Sequence, residues 1–358
     1  MSDEDVLNLD PVSEESSIDE PGPSSASASA EKPKRKRRGT KKAYRRRKAL
    51  RKEAEMKERL VQLVGRDVRE PGKPGAVDSH FHLDRLLHMA GKESLLEIQQ
   101  GKEEKVKLHR MVAVYCDPPG WSKAVVHMHM DDRLVFTIKV HPKGVGPGTL
   151  TAAHLAQLYK LLSEDKCVGL GEIGLDWTHH MWQRDHQPDC QKCDMQERVF
   201  QSMLEVARDT GKAVILHLRG YRKEETKAVY LKGLAICKRV LPKAQRIVFH
   251  CYTQDLSVAL EWKEQFPHVH LGINTLSTKE ELFRRNLEGL LGKNGFDPRH
   301  ILLETDAPYL LPRGESMPTT MWALGAVLRH VARVMNVSEE AAMELTRMNA
   351  CSFYDMSW

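Results

Sequence analysis

The chain has 358 residues with a formal net charge of +6, and 41% of its residues are hydrophobic. That length suits one large domain or two modest ones. The sequence holds no apolar run of the roughly 18 residues a membrane span needs, its acidic start MSDEDVLNLD lacks a secretory apolar core, and seven scattered cysteines argue against a disulfide scaffold.

The charge is unevenly spread. Residues 1–30 carry eight Asp and Glu and no Lys or Arg, whereas residues 32–52 carry fourteen Lys and Arg and no acid. With Glu31, the first 52 residues sum to +5 and the rest of the chain to +1. The Ser, Pro and acid composition of 11–31 predicts disorder. The basic block that follows suits anionic partners and nuclear localisation, with cytoplasmic residence as well. Residues 1–52 are thus read as a tail and 53–74 as a short helix over Lys52 to Val64 plus a Gly- and Pro-rich linker. A third segment, 75–358, is read as the folded domain.

From residue 75, short apolar runs alternate with helical patterns. In order the runs are AVDSHFHL, MVAVYCD, LVFTIKVHP, CVGLGEIGLD, AVILHLRG, RIVFHCY, VHLGIN and HILLETDAPYL. Between them lie amphipathic stretches such as LTAAHLAQLYKLLSED and DMQERVFQSMLEVARDTG, where Val199, Met203 and Val206 recur at helical spacing. Apolar strands covered by helices on a parallel sheet predict an α/β fold, a (β/α)8 TIM barrel. A helical pattern closes the chain over 320–349, with Ser338 placed to cap its last helix.

Several runs end in side chains that bind metals. His80 and His82 follow the first, Glu172 and Asp176 sit in the fourth, and His217 ends the fifth. His250 ends the sixth, and Glu304 and Asp306 the eighth. In a barrel these positions share the C-terminal rim, where active sites form. Imidazoles and carboxylates converging there suit one or two divalent metals. Any one of these histidines, taken alone, is as well explained as a satisfied core residue.

The motifs DSHFHL (78–83), GEIGLD (171–176), HLR (217–219), FHC (249–251) and ETDAPYL (304–310) resemble those of the TatD family of metal-dependent deoxyribonucleases. The resemblance implies a metal-dependent hydrolase barrel from about residue 75 to Tyr354. It implies that His80, His82 and Asp306 hold one metal, His217 and His250 a second, and that Glu172 bridges them. The implied cofactors are two divalent ions, Mg, Mn or Zn. The implied reaction is phosphodiester hydrolysis of nucleic acid by a metal-activated water, with DNA as the first substrate and RNA or RNA–DNA hybrid as others. Asp306 would take the proton of the water, Arg219 would face the phosphate and His141 would contact substrate. Glu304 would orient the site, and Asp176 is read as structural. A monomer without membrane contact is expected. The competing readings are a small-molecule amidohydrolase and a nucleic-acid-binding protein with a weak catalytic site.

Three departures from the family pattern stand out. KVHP brings Lys139 where relatives usually have glycine, which predicts a modified rim. PRGESMPTTMW follows ETDAPYL in place of an Arg-Asn pair. The segment after GEIGLD is long and holds His179, His180, His186, Cys190 and Cys193. Cys190 and Cys193, with His186, are candidates for a separate structural zinc. The alternative is a solvent-facing loop with incidental thiols. Tyr115, Trp121, Trp177, Trp182, Tyr252 and Tyr309 lie near the expected rim. They are available for stacking on bases or for packing, and Trp177 and Tyr252 adjoin proposed ligands.

Overall fold

The structure, a computed structural model, describes residues 75–98, 106–178, 190–221, 223–279, 281–292, 294–310 and 320–356. The tail, the Lys52–Val64 helix and the linker expected from the sequence lie outside these residues, as do His179, His180, Trp182 and His186. Each of the eight apolar runs contains a strand: β1 (Ala76–Phe81), β2 (Leu108–Tyr115), β3 (Leu134–Ile138), β4 (Cys167–Asp176), β5 (Ala213–Arg219), β6 (Ile247–Phe249), β7 (Val269–Ile273) and β8 (Ile301–Leu303). They form one parallel sheet in chain order.

The last strand returns to the first. Asp306 N donates to His80 O at 2.9 Å and His82 N to Ala307 O at 2.7 Å. Buried Asp78 completes the seam by accepting Thr305 N at 3.0 Å and Thr305 Oγ1 at 2.6 Å. The result is a near-closed (β/α)8 TIM barrel, as the alternation of runs predicts.

The helices are α1 (Leu83–Ala90), α2 (Pro118–His127), α3 (Ala152–Leu162), α4 (Cys190–Thr210), α5 (Lys223–Val240), α6 (Leu256–Gln265), α7 (Leu276–Lys279), α8 (Glu281–Leu291), α9 (Leu324–Met335) and α10 (Glu339–Tyr354). Local chemistry fixes several starts. Thr151 Oγ1 accepts His154 N at 3.2 Å ahead of α3, and Ser338 Oγ accepts Ala341 N at 3.1 Å ahead of α10, as its sequence position suggests. Helix α4 begins at Cys190, four residues before the helical pattern read from the sequence.

Strands apolar on both faces produce two apolar layers. One lies between strands and helices and includes Trp121, Phe200, Trp262 and Leu324. The other joins Val77, Val112, Val168, Ile215, Val248 and Leu302 from six strands to Phe353 and Tyr354 of α10. Arg246, just before β6, donates to Phe353 O at 2.8 Å. The end of α10 therefore plugs the N-terminal mouth of the barrel. The polar strand ends gather at the opposite mouth.

Candidate metal centre

The C-terminal ends of β1, β4, β5, β6 and β8 bring His80, His82, Glu172, His217, His250 and Asp306 into one cluster. Glu172 stands at its middle. Its Oε1 lies 3.7 Å from His80 Nε2 and 3.7 Å from His82 Nε2. Its Oε2 lies 2.9 Å from His217 Nδ1 and 3.5 Å from His250 Nε2. Asp306 Oδ1 is 3.2 Å from His82 Nε2 and 3.8 Å from both His80 Nε2 and His250 Nε2. Candidate ligand atoms of His80, His82 and Glu172 lie within 4.8 Å of one another, as do those of His141, Glu172 and His217 and those of His80, His250 and Glu304.

Glycine 171 explains how β4 delivers Glu172. Its φ of +147° is rarely open to other residues. A Cβ there would also meet Ile215 Cβ at 2.6 Å. Only glycine lets β4 press this close to β5 where the carboxylate turns inward.

Surrounding groups fix the cluster. Glu304 Oε1 is 3.1 Å from His250 Nδ1 and accepts Cys251 N at 2.7 Å and Asn274 Nδ2 at 2.8 Å. Asp176 Oδ2 is 2.8 Å from His217 Nε2, while its Oδ1 accepts Thr178 Oγ1 at 2.6 Å. Cys116 Sγ lies 3.4 Å from His82 Nδ1. Asn274 and Cys116 went unnoticed in the sequence, although both stand where β7 and β2 end, the position shared by every other member.

The charges are mutually dependent. Burial opposes the ionised form of Glu172, yet Lys139 and His250 hold its carboxyl well below the usual range. Burial likewise opposes the charge on His250, but Glu304, Glu172 and Asp306 raise it to about 9. Burial and the neighbouring His250 push His80 down to about 4. Asp306 is held at about 2, against its burial, by His250 and His82. Asp78 is pushed up to about 8 by burial.

Lys139 departs most from the sequence reading. It does not modify the rim; it is fully buried, with Nζ paired to Glu172 Oε1. The residue follows β3, and its backbone is pinned through Lys139 N to Tyr115 O at 3.0 Å and Trp121 Nε1 to Lys139 O at 2.9 Å. Its side chain therefore enters the mouth. His141 Nε2 is 3.9 Å from Glu172 Oε1, and its Nδ1 accepts Lys143 N at 3.0 Å. Arg219 ends β5 half-buried; burial opposes its charge, but Cys251, Asp176 and Asp306 favour it, and no described residue hydrogen-bonds its guanidinium.

The aromatic residues divide. Tyr115, Trp121 and Tyr252 are buried, and Tyr252 Oη donates to Asp255 O at 2.7 Å, so these three pack and do not stack on a ligand. Trp177 is half-buried. Tyr309 is 41% exposed with its ring edge-on to His82, centroids 5.4 Å apart. Of the suggested zinc ligands, only Cys190 and Cys193 fall within the described residues, both in the first turn of α4.

A metal suits part of this cluster on direct grounds. His80 is fully buried with neither ring nitrogen hydrogen-bonded, and Asp306 Oδ1 is likewise unpaired. Buried polar atoms seldom lack partners. Imidazole and carboxylate atoms facing one another in this way form a borderline donor set suited to Zn or Mn as well as Mg.

The TatD related DNase family profile matches residues 77–355. The chain belongs to the TatD-related DNase family. It is a metal-dependent hydrolase of that family, with buried His, Glu and Asp groups for divalent metal. An uncharacterized metal-dependent hydrolase of Methanocaldococcus jannaschii is 24% identical over 280 residues, 78% of this chain and 96% of that protein. A human protein named 3′-5′ RNA nuclease TATDN2 is 23% identical over 79% of this chain, but the match spans only 35% of the human protein. A Klebsiella pneumoniae protein named 3′-5′ ssDNA/RNA exonuclease TatD is 28% identical over 65% of this chain and 74% of its own length. Among solved structures, the Escherichia coli TatD homologue YjjV superposes with a TM-score of 0.60 at 18% identity. That superposition covers 79% of this chain and 98% of the homologue, and it carries the fold alone.

Proposed function

We propose that this chain hydrolyses phosphodiester bonds of single-stranded nucleic acid from the 3′ end. The observation that carries this reading is the Arg219 guanidinium, which no described residue hydrogen-bonds and which the Asp176 and Asp306 carboxylates of the His, Glu and Asp cluster attract. An arginine at the mouth suits a phosphate, and it suits a small cyclic amide only where that substrate carries a carboxylate. The names of the human and Klebsiella relatives add support, covering RNA and single-stranded DNA.

Each side chain has work in this scheme. His80, His82 and Asp306 would hold a divalent ion, with His250 and Glu172 beside them. Bound there, the ion supplies a polarised phosphoryl group and a more acidic water. Asp306, whose Oδ1 lies 3.2 Å from His82 Nε2, would take the proton of that water. Arg219 binds a non-bridging oxygen, and His141 contacts the substrate from the third strand. Glu304 keeps His250 in one orientation, and Asp176 does the same for His217. The basic block at 32–52 adds affinity for the polyanion and directs the protein to the nucleus.

The test is a substrate panel. The full chain is incubated with Mg²⁺ or Mn²⁺ and end-labelled single-stranded DNA, duplex DNA, RNA or RNA–DNA hybrid, and separately with a dihydropyrimidine. Stepwise shortening of the single strands from the 3′ end, abolished by chelation, supports the reading. Turnover of the cyclic amide alone points to an amidohydrolase. Tight binding without cleavage of any polymer points to a binding protein.

A further inference from the structure

We propose that this chain holds one divalent ion where two are expected, with the Lys139 ammonium and a paired His217 filling the second position. The inference rests on the cluster being the metal centre, as argued above, and concerns how many ions it takes.

The hydrogen bonds split the cluster in two. On one side, both nitrogens of His80 and Asp306 Oδ1 are buried and unpaired, and His82 Nε2 lies 3.2 Å from that oxygen. The His80 nitrogens lack hydrogen-bond partners, and the nearest group of the cluster to Asp306 Oδ1 is His82 Nε2. On the other side His217 and Glu172 are engaged, while His250 Nδ1 lies 3.1 Å from Glu304 Oε1. His217 has Glu172 Oε2 at 2.9 Å from one nitrogen and Asp176 Oδ2 at 2.8 Å from the other. Glu172 is engaged at both oxygens, Oε2 by His217 and Oε1 by Lys139 Nζ.

An ammonium group offers donors and no lone pair, so it cannot become a ligand. Lys139 is also not free to leave. It is fully buried, and both backbone polar groups are bonded, to Tyr115 O and from Trp121 Nε1. Withdrawal would strand a buried cation away from the carboxylate that balances it. Two dications beside this ammonium would set five positive charges against the four carboxylates Glu172, Asp306, Asp176 and Glu304, whereas one dication sets three. One dication on His80, His82 and Asp306 leaves the Lys139, Glu172, His217 and Asp176 chain of contacts intact.

The experiment counts ions. The full chain is stripped with chelator, reloaded with excess Mn²⁺, desalted and assayed for metal per protein by mass spectrometry. The wild type should retain about one equivalent, His82→Ala should lose it, and His217→Ala should keep it. Lys139→Ala, checked for folding by circular dichroism, should rise toward about two equivalents. Two ions in the wild type would overturn the inference and leave the centre standing. Loss in His217→Ala with retention in His82→Ala would also overturn it, as would a folded Lys139→Ala protein that stays at the wild-type ratio. No bound ion in the wild type would overturn both this inference and the metal centre. If Lys139→Ala fails to fold, the two histidine variants still decide.

Discussion

Glu304 Oε1 lies 3.1 Å from His250 Nδ1 and also accepts the amide hydrogens of Cys251 and Asn274, at 2.7 and 2.8 Å. One buried carboxylate thus sets the ring angle of His250, whose Nε2 lies 3.8 Å from Asp306 Oδ1 beside the proposed ion, and ties the ends of β6, β7 and β8 together. Groups that orient ligands typically change metal affinity by roughly 10- to 100-fold. Glu304→Gln should weaken Mn²⁺ binding by about that factor, read by titration calorimetry. Unchanged affinity would show that His250 is held by other means or is not a ligand.

Gly272 makes room for that carboxylate. A Cβ there would stand 2.8 Å from Glu304 Cδ and 2.9 Å from Phe249 O. Gly272→Ala should destabilise the fold by about 1–3 kcal/mol and weaken metal binding as Glu304 shifts. Gly289 in α8 has nothing within 4 Å of its would-be Cβ. Gly289→Ala should therefore gain about 0.5–1 kcal/mol. Urea unfolding of both variants checks the pair, and equal effects would contradict the steric argument.

Arg219 is proposed to act on substrate, not on the metal. Arg219→Ala should keep its ion and its fold while kcat/KM on single-stranded oligonucleotide falls roughly 10²-fold. Loss of the ion in this variant would assign Arg219 to the support of the centre.

The histidines at the other end of the barrel set an acid limit. His270 and His300 lie with ring centroids 4.5 Å apart. Burial, then the charge of His300, pushes His270 down to about 3; burial, then Lys263, pushes His300 down to about 4. In the unfolded chain both titrate near about 6.5. Between these values the unfolded state binds more protons than the folded one. Stability is therefore fully present above about 6.5 and is lost as pH falls toward 4 and 3. The melting temperature should decline through this window, and His270→Asn should flatten the decline. An unchanged slope in that variant would mean His270 is not a source of it.

All eight strands were legible because each is an apolar run bounded by polar residues, and parallel strands bury both faces. The cluster was legible for a related reason. His80, His82, His217, His250 and Asp306 all interrupt or end such runs, so topology alone gathers them at one mouth. Lys139 was not legible. A lysine after an apolar run reads as rim, and only the bonds from Tyr115 and Trp121 reveal that its backbone turns the side chain inward. Tyr252, open in the sequence to stacking or packing, packs. It adjoins His250 in sequence, but the left-handed Cys251 at φ 53° turns the chain before it. Its hydroxyl ends on Asp255 O, inside the apolar layer. Asn274 and Cys116 were missed because amide and thiol side chains draw less notice than imidazoles at the same strand ends.

Phosphodiester hydrolysis at the Glu172-centred cluster is the function we propose. Its most direct test is the initial rate of nucleotide release from a 5′-labelled single-stranded oligonucleotide in Mn²⁺, for the wild type and Glu172→Gln, with folding and metal content measured on the same samples. The expected result is steady release by the wild type and a loss of at least roughly 10³-fold in a folded Glu172→Gln protein. Equal rates from the two proteins would contradict it.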